Sequence, residues 1–266
     1  MHPDIDHVTR IIRETAADEI MPRFRALAAG DVSEKHPGDL VTIADTRSED
    51  RLAAALTALN PGSAVVGEEM VDADPDHLLA LAGDAPVWVL DPLDGTQNFV
   101  DGKPCFAVIV AYCLGGRTVA GWIHDPVNDV TAWAADGEGA WIGGDRVRVA
   151  PPAPIGEMSG SLVRRLRKRL RTDEAFSGAR LVQYRCVGRE YMDLARGELH
   201  FARYGRRIRP WDHAAGVLLH REAGGFSAPV GDRSPYRPAP RIVEGTLMLA
   251  PDEATWHALH RAIGDG

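Results

Sequence analysis

From Ile5 onward the apolar residues Val8, Ile12, Ala16 and Ile20 return at intervals of four. This spacing lines one face of a helix and predicts an amphipathic helix over residues 4–29. Pro22 should bend it and Gly30 stop it. Leu52, Ala55, Leu56 and Leu59 predict a second helix over 46–59, ended by "NPG". Between them, "EKHPGDLVTIAD" reads as a turn leading into a short extended segment that ends on Asp45.

The period then changes to that of strands. "SAVVGEEM" is a short β-branched run that stops at Gly67 and delivers Glu68 and Glu69 to a strand end, and "APVWVLDPLDGT" repeats the arrangement. Further strands are expected at 106–114, 118–124, 130–135 and 139–142, separated by glycine-rich and Asn-Asp turns, which makes a meander and hence a largely antiparallel sheet. At "RVAPPAP" the texture turns to proline and a new alternation of helices and strands begins. We therefore expect a unit over residues 1–150 and a second over 151–266. In the second, "WDHAAG" opens a helix that carries Leu218, Leu219 and Ala223 before Gly224 and Gly225 end it.

Composition changes little in this picture. Of 266 residues, 45% are hydrophobic and 26% charged, as in globular rather than disordered chains. The first residues are charged and contain no continuous apolar core, so no secretory leader is expected. The longest apolar run, Phe106 to Leu114, is far shorter than a bilayer crossing, and a cytoplasmic protein without membrane partners is expected. Cys105, Cys113 and Cys186 have no paired spacing, which argues for reduced thiols rather than disulfides or zinc. The net charge of -8 hides an asymmetry: residues 1–140 carry 24 acidic against 9 basic residues, and 141–266 carry 14 against 21. An acidic half that gathers cations and a basic half that attracts an anion would look like this.

"DPLDGT" concentrates the chemistry. Asp91 and Asp94 end a buried strand, and like charges held so close repel strongly unless something neutralises them. A hard divalent cation does so, with Asp91, Asp94 and the carbonyl of Leu93 as ligands, while Gly95 and Thr96 open a helix whose free N–H groups suit a phosphate. An Asx-capped turn is the simpler reading of this stretch alone. Glu68, Glu69, Asp45 and Asp212 supply more carboxylates at element ends, though Asp45 and Asp212 could equally be N-caps.

Taken together and in order, "GDLVTIAD", "GEE", "WVLDPLDGTQNF" and "WDHAAG...EAGG" resemble the inositol monophosphatase family of magnesium-dependent, lithium-sensitive phosphatases. The resemblance implies a layered αβαβα sandwich, commonly a homodimer. It implies two to three Mg2+ ions per site, with Glu68, Asp91 and the Leu93 carbonyl as ligands of the first and Asp91, Asp94 and Asp212 as ligands of the second. Glu68 would also help to hold a third ion. Asp45 and Thr96 would orient and deprotonate the attacking water, Gly95 and Thr96 would cradle the phosphate, Asp212 would face the substrate, and Glu69 and Lys35 would support the ligands.

The family's ring-binding acid falls here on Gly205, and Arg203, Arg206, Arg207 and Arg209 surround that position. Guanidinium groups bind anions in bidentate fashion, so Arg207 becomes a candidate contact for a second anionic group on the substrate. The expected activity is hydrolysis of a small polyol or sugar phosphate. The alternatives are a 3',5'-bisphosphate nucleotide, fructose 1,6-bisphosphate or histidinol phosphate, and, in a different class, a non-catalytic RNA- or protein-binding scaffold. "RRLRKRLR" from Arg164 is the feature that would serve such a scaffold. Leu162, Leu166 and Leu170 give it the stripe of a surface helix, and the absence of aromatic residues argues against nucleic acid.

Overall fold

The computed structural model describes residues 2–231 and 234–264. Helix α1 (Ile5–Thr15) is followed by the hairpin β1 (Val32–His36) and β2 (Asp39–Thr42), helix α2 (Ile43–Leu59), strand β3 (Ala64–Gly67) and the short helix α3 (Glu68–Ala73). Strand β4 (Val87–Asp94) runs into α4 (Thr96–Val100), and a meander continues through β5 (Ala107–Leu114), β6 (Arg117–Asp125), β7 (Val130–Ala135), β8 (Gly139–Ile142) and β9 (Asp145–Val147). Then come β10 (Ser159–Leu162), α5 (Arg164–Leu170), β11 (Arg180–Val182), α6 (Val187–Ala195), β12 (Phe201–Ile208) and α7 (Pro210–Glu222). Strands β13 (Phe226–Pro229) and β14 (Val243–Ala250) and helix α8 (Glu253–Ile263) complete the order.

Strands β3 to β9 form a seven-stranded sheet in sequence order, antiparallel except for the β3–β4 pair. The second sheet has the order β11-β10-β12-β14-β13. Alternation along β4 explains the layering: Trp88 and Leu90 join Val8, Ile12, Leu52 and Leu56 beneath α1 and α2, whereas Val87 and Val89 face the opposite way. On that side Tyr191 and Leu194 of α6 and Ala215 and Leu218 of α7 fill the space between the sheets, and the core continues to Ala202 and Leu249. Leu166 and Leu170 of α5 and Trp256 and Leu259 of α8 cover the outer face of the second sheet. The result is helix, sheet, helix, sheet, helix: the expected αβαβα sandwich.

Several local expectations need correction. The first helix does not reach residue 29. Its α-helical part ends at Thr15, a π-turn spans Ala16–Ile20, and one 3₁₀ turn over Met21–Arg23 follows. Pro22 cannot donate to the helical ladder, and Phe24 turns extended to pack its ring against Phe99 and Phe106. The second helix starts at Ile43 instead of Thr46, because Thr42 and Asp45 make a capping box. Asp45 therefore sits in the first turn of α2, not at the end of a strand. Glu68 and Glu69 likewise belong to the first turn of α3. Leu162 ends strand β10, so only Leu166 and Leu170 anchor the basic helix. Among the described residues no helix is long and apolar enough to cross a membrane.

Candidate active site

A defect in β4 brings the two aspartates of "DPLD" to one side. In the ladder Asp91 faces Ile109 and Asp94 faces Ala107, so three steps along β4 run against two along β5. Pro92, which has no N–H for the ladder, lies in this irregularity. Residues three apart in a regular strand point to opposite faces; the extra residue turns Asp94 to the face of Asp91. Gly95 then reverses the chain at φ 90°, and a Cβ there would lie 3.0 Å from the Cys105 carbonyl oxygen, so the turn into α4 demands glycine.

Five elements converge on the cavity that results. Its volume is about 200 Å³, and Asp39, Glu68, Asp91, Asp94 and Asp212 line it together with Leu93, Gly95 and Thr96. Glu68 comes from the first turn of α3 and Asp212 from the first turn of α7, which Pro210 opens. Asp45 stands behind Thr96, whose hydroxyl is 3.0 Å from both Asp45 Oδ1 and the Leu93 carbonyl oxygen and can donate to one at a time. The other oxygen of Asp45 accepts from the Thr42 hydroxyl at 2.6 Å and the Thr42 N–H at 2.8 Å. These bonds fix the carboxylate so that Oδ1 points to Thr96.

Crowding of acids dominates the electrostatics. Burial, followed by the charges of Glu68, Asp94, Asp212 and Asp45, holds Asp91 well above the usual carboxylate range. Asp212 is raised well above it too, by burial and by Glu68, although Arg209 pulls the other way. Asp94 is raised by burial against the opposing bonds from Cys186 and the Gly188 N–H, the latter 2.7 Å from Asp94 Oδ2. Burial lifts Asp45 to about 6 despite its hydrogen bonds from Thr42. Glu69 rises to about 8 through burial and the charge of Glu68.

Two cations of the chain answer part of this charge. Lys35 Nζ lies 3.2 Å from Glu68 and 2.9 Å from Glu69, and these two acids outweigh its burial and keep its pKa above the ordinary lysine value. Arg209 is 3.7 Å from Glu68 and 3.4 Å from Asp39. Among the described residues no three acidic, histidine or cysteine side chains form a ready metal cage. The acids are turned onto internal donors instead: Glu68 to Lys35 and Arg209, Asp94 to Gly188, and Asp91 to the Leu93 N–H at 3.1 Å. The donor set nevertheless fits a hard divalent ion, because it offers carboxylate and carbonyl oxygens only, with more negative charge than two cations neutralise.

Every residue expected at the catalytic end lies at this cavity or directly behind it. Arg207 does not. It is exposed on β12 and lines two adjoining cavities, while Arg209 is the one of the four arginines around Gly205 that lines the acidic one. Asp39 and Arg185, which also line the cavity, carried no distinguishing signal: Asp39 opens the "DLVTIAD" stretch and Arg185 precedes Cys186 with nothing in its neighbours to mark it.

The model of the inositol monophosphatase family matches residues 3–263. The Mycobacterium tuberculosis inositol-1-monophosphatase SuhB is 36% identical over 203 residues, 72% of this chain and 69% of its own. A Thermotoga maritima fructose-1,6-bisphosphatase/inositol-1-monophosphatase is 31% identical over 205 residues, 73% of each chain. In fold, the chain is similar to the extragenic suppressor protein suhB of Bartonella henselae, with a TM-score of 0.76, 24% identity and coverage of 97% of this chain and 99% of that one.

Proposed function

Because the chain belongs to the inositol monophosphatase family and is a phosphoric monoester hydrolase, we propose that it hydrolyses a small polyol or sugar phosphate with Mg2+ at the acidic cavity. The observation that carries this reading is the convergence of Glu68, Asp91, Asp94 and Asp212 on the turn formed by Gly95 and Thr96. Glu68, Asp91 and the Leu93 carbonyl would hold one ion, and Asp91, Asp94 and Asp212 a second, with two to three ions in all. Bound Mg2+ would supply positive charge to the phosphate oxygens and a water of lowered pKa. The chain's own part is to orient. Thr96, whose hydroxyl donates to Asp45, would present its oxygen to the attacking water, and Asp45 would receive the hydroxyl's proton as Thr96 takes one from the water. The N–H groups at the start of α4 would face the phosphate. Lys35 and Glu69 keep Glu68 in place.

The division near Ala150 belongs to the same proposal. What supports it is that the first sheet is built within residues 64–147 and the second within 159–250, so that Asp212 would close, from the second unit, a site otherwise built by the first. Cytoplasmic location and a homodimer are further parts of this reading.

The basic experiment is phosphate release from inositol 1-phosphate with Mg2+, with a chelator, and after Mg2+ is restored. Activity should vanish and return. Millimolar lithium should inhibit by competing for a magnesium position; full activity at high lithium would contradict the shared metal chemistry.

A second substrate reading has its own support. Arg185, Arg203 and Arg207 line a cavity of about 210 Å³ that shares Arg185 and Asp212 with the acidic one. An alcohol that extends there would meet guanidinium groups, which favours a second anionic group such as the remote phosphate of fructose 1,6-bisphosphate. Charge reversal by Arg207→Glu should then raise KM for the bisphosphate by about tenfold, the loss of one charge-assisted hydrogen bond. KM for inositol 1-phosphate should move far less, and equal shifts would remove this reading.

A further inference from the structure

One buried carboxylate beside the site has no part in the chemistry above. Glu49 lies one turn beyond Asp45 on α2 and is 3% exposed. Its side chain reaches out of its own helix to α3, where Oε2 accepts the N–H of Glu69 at 2.9 Å and Oε1 that of Met70 at 2.8 Å. The N–H groups of a first helical turn have no acceptor within the helix, and the N-cap of α3 is Gly67, which has no side chain to offer. Glu49 supplies the missing cap from a different helix.

Gly67 is the other half of the arrangement. A Cβ at that position would stand 2.2 Å from Glu49 Oε2 and 2.4 Å from its Cδ, distances at which one of the two must move. The residue that leaves α3 uncapped is thus the residue that lets Glu49 approach. An ordinary Ser N-cap would be simpler and would not bury a carboxylate near Glu68. What the borrowed cap adds is a rigid tie between the helix that carries Asp45 and the helix that carries Glu68.

We infer that Glu49 is a positioning residue of the phosphatase: by clamping the first turn of α3 onto α2 it sets the backbone from which Glu68 and Glu69 reach the cation site. This rests on the proposed role of Glu68 as a metal ligand, so the test includes that residue as its reference. Mg2+ binding is measured by isothermal titration calorimetry, alongside thermal melting and the Mg2+ dependence of kcat. The variants are Glu49→Ala, Glu49→Gln, Gly67→Ala, the Glu49→Ala/Gly67→Ala pair and Glu68→Gln.

Glu49→Ala should weaken Mg2+ binding by about tenfold, as loss of a group supporting a metal ligand does. Gly67→Ala, which pushes Glu49 aside, should weaken it similarly. The double variant should be no worse than either single one, because both remove the same clamp. Glu49→Gln keeps the shape and one acceptor oxygen and should recover part of the affinity. A Glu49 that serves stability alone would lower the melting temperature and leave Mg2+ affinity where it was. Wild-type affinity in both Glu49→Ala and Gly67→Ala, with weakened binding in Glu68→Gln, would overturn the inference and leave the metal site standing. Unchanged affinity in Glu68→Gln would overturn the metal site and the inference together. Should Glu49→Ala fail to fold, Gly67→Ala and Glu49→Gln decide the matter by the same readouts.

Discussion

An Asp91→Asn variant should lose at least about a hundredfold in kcat, the scale on which removing one preorganised electrostatic group acts, while its metal-free form melts no lower than the wild-type protein. Both halves follow from the same crowding. Asp91 is 2% exposed and faces the charges of Glu68, Asp94, Asp212 and Asp45. As the acid shared by both proposed ion positions, it is the ligand whose loss disturbs both. The amide is nearly isosteric, and its oxygen can still accept from the Leu93 N–H. It also removes one negative charge from a buried cluster of like charges, which relieves the folded state without ions. Steady-state turnover and melting curves with and without Mg2+ check this. Near-normal turnover, or a metal-free form that barely folds, would count against the assignment.

Without divalent ions the protein should lose thermal stability as pH rises from about 6.5 to 8, and Mg2+ should restore it increasingly over that interval. A carboxyl whose pKa rises on folding holds more protons folded than unfolded between its two values, so stability falls as pH climbs through that window. Glu49 is pushed to about 7 by burial, against the N–H bonds from Glu69 and Met70, and Glu69 to about 8. Asp91 and Asp212 are raised in the same direction. Below pH 6.5 the buried histidines oppose the trend: burial lowers His124 to about 4 and His213 and His220 to about 3, and each favours the folded state more as pH rises to the ordinary histidine value. Above it the contribution of these three histidines is complete and the raised carboxylates set the trend. Bound Mg2+ needs Asp91 and Asp212 ionised, so the gap between loaded and metal-free melting temperatures should widen with pH. A gap that stays constant from pH 6.5 to 8 would place the ion away from the raised carboxylates.

Glu68, Asp94 and Asp212 are legible as candidates because each sits at an element end marked by local chemistry. Gly67 precedes Glu68, Pro92 and Gly95 bracket Asp94, and Pro210 precedes Asp212. These breakers state where a strand or helix stops, and therefore where a side chain faces a cavity and not the core. The strands were legible for a related reason: burial on both faces of β4 and β5 writes continuous apolar runs.

What the sequence hid was pairwise. The spacing of Asp91 and Asp94 in a regular strand would put them on opposite faces, and only the register against β5 shows the irregularity that unites them. The clamp of Glu49 on α3 depends on two helices meeting across Gly67. Arg209 stood among four arginines, and only the fold separates the one paired with Glu68 from the exposed Arg207. The sequence hides the end of the first helix because the apolar period continues to Ile20 whether or not the backbone does. There the π-turn keeps Ala16 and Ile20 buried while it changes the hydrogen bonding.

The most direct test of the central claim is diffraction from crystals grown with Mn2+, with data collected at the manganese absorption edge. Anomalous peaks should appear within coordination distance of Asp91, flanked by Glu68 and the Leu93 carbonyl on one side and by Asp94 and Asp212 on the other. Peaks confined to other parts of the surface, with Lys35 and Arg209 still paired to Glu68 in an active enzyme, would contradict it.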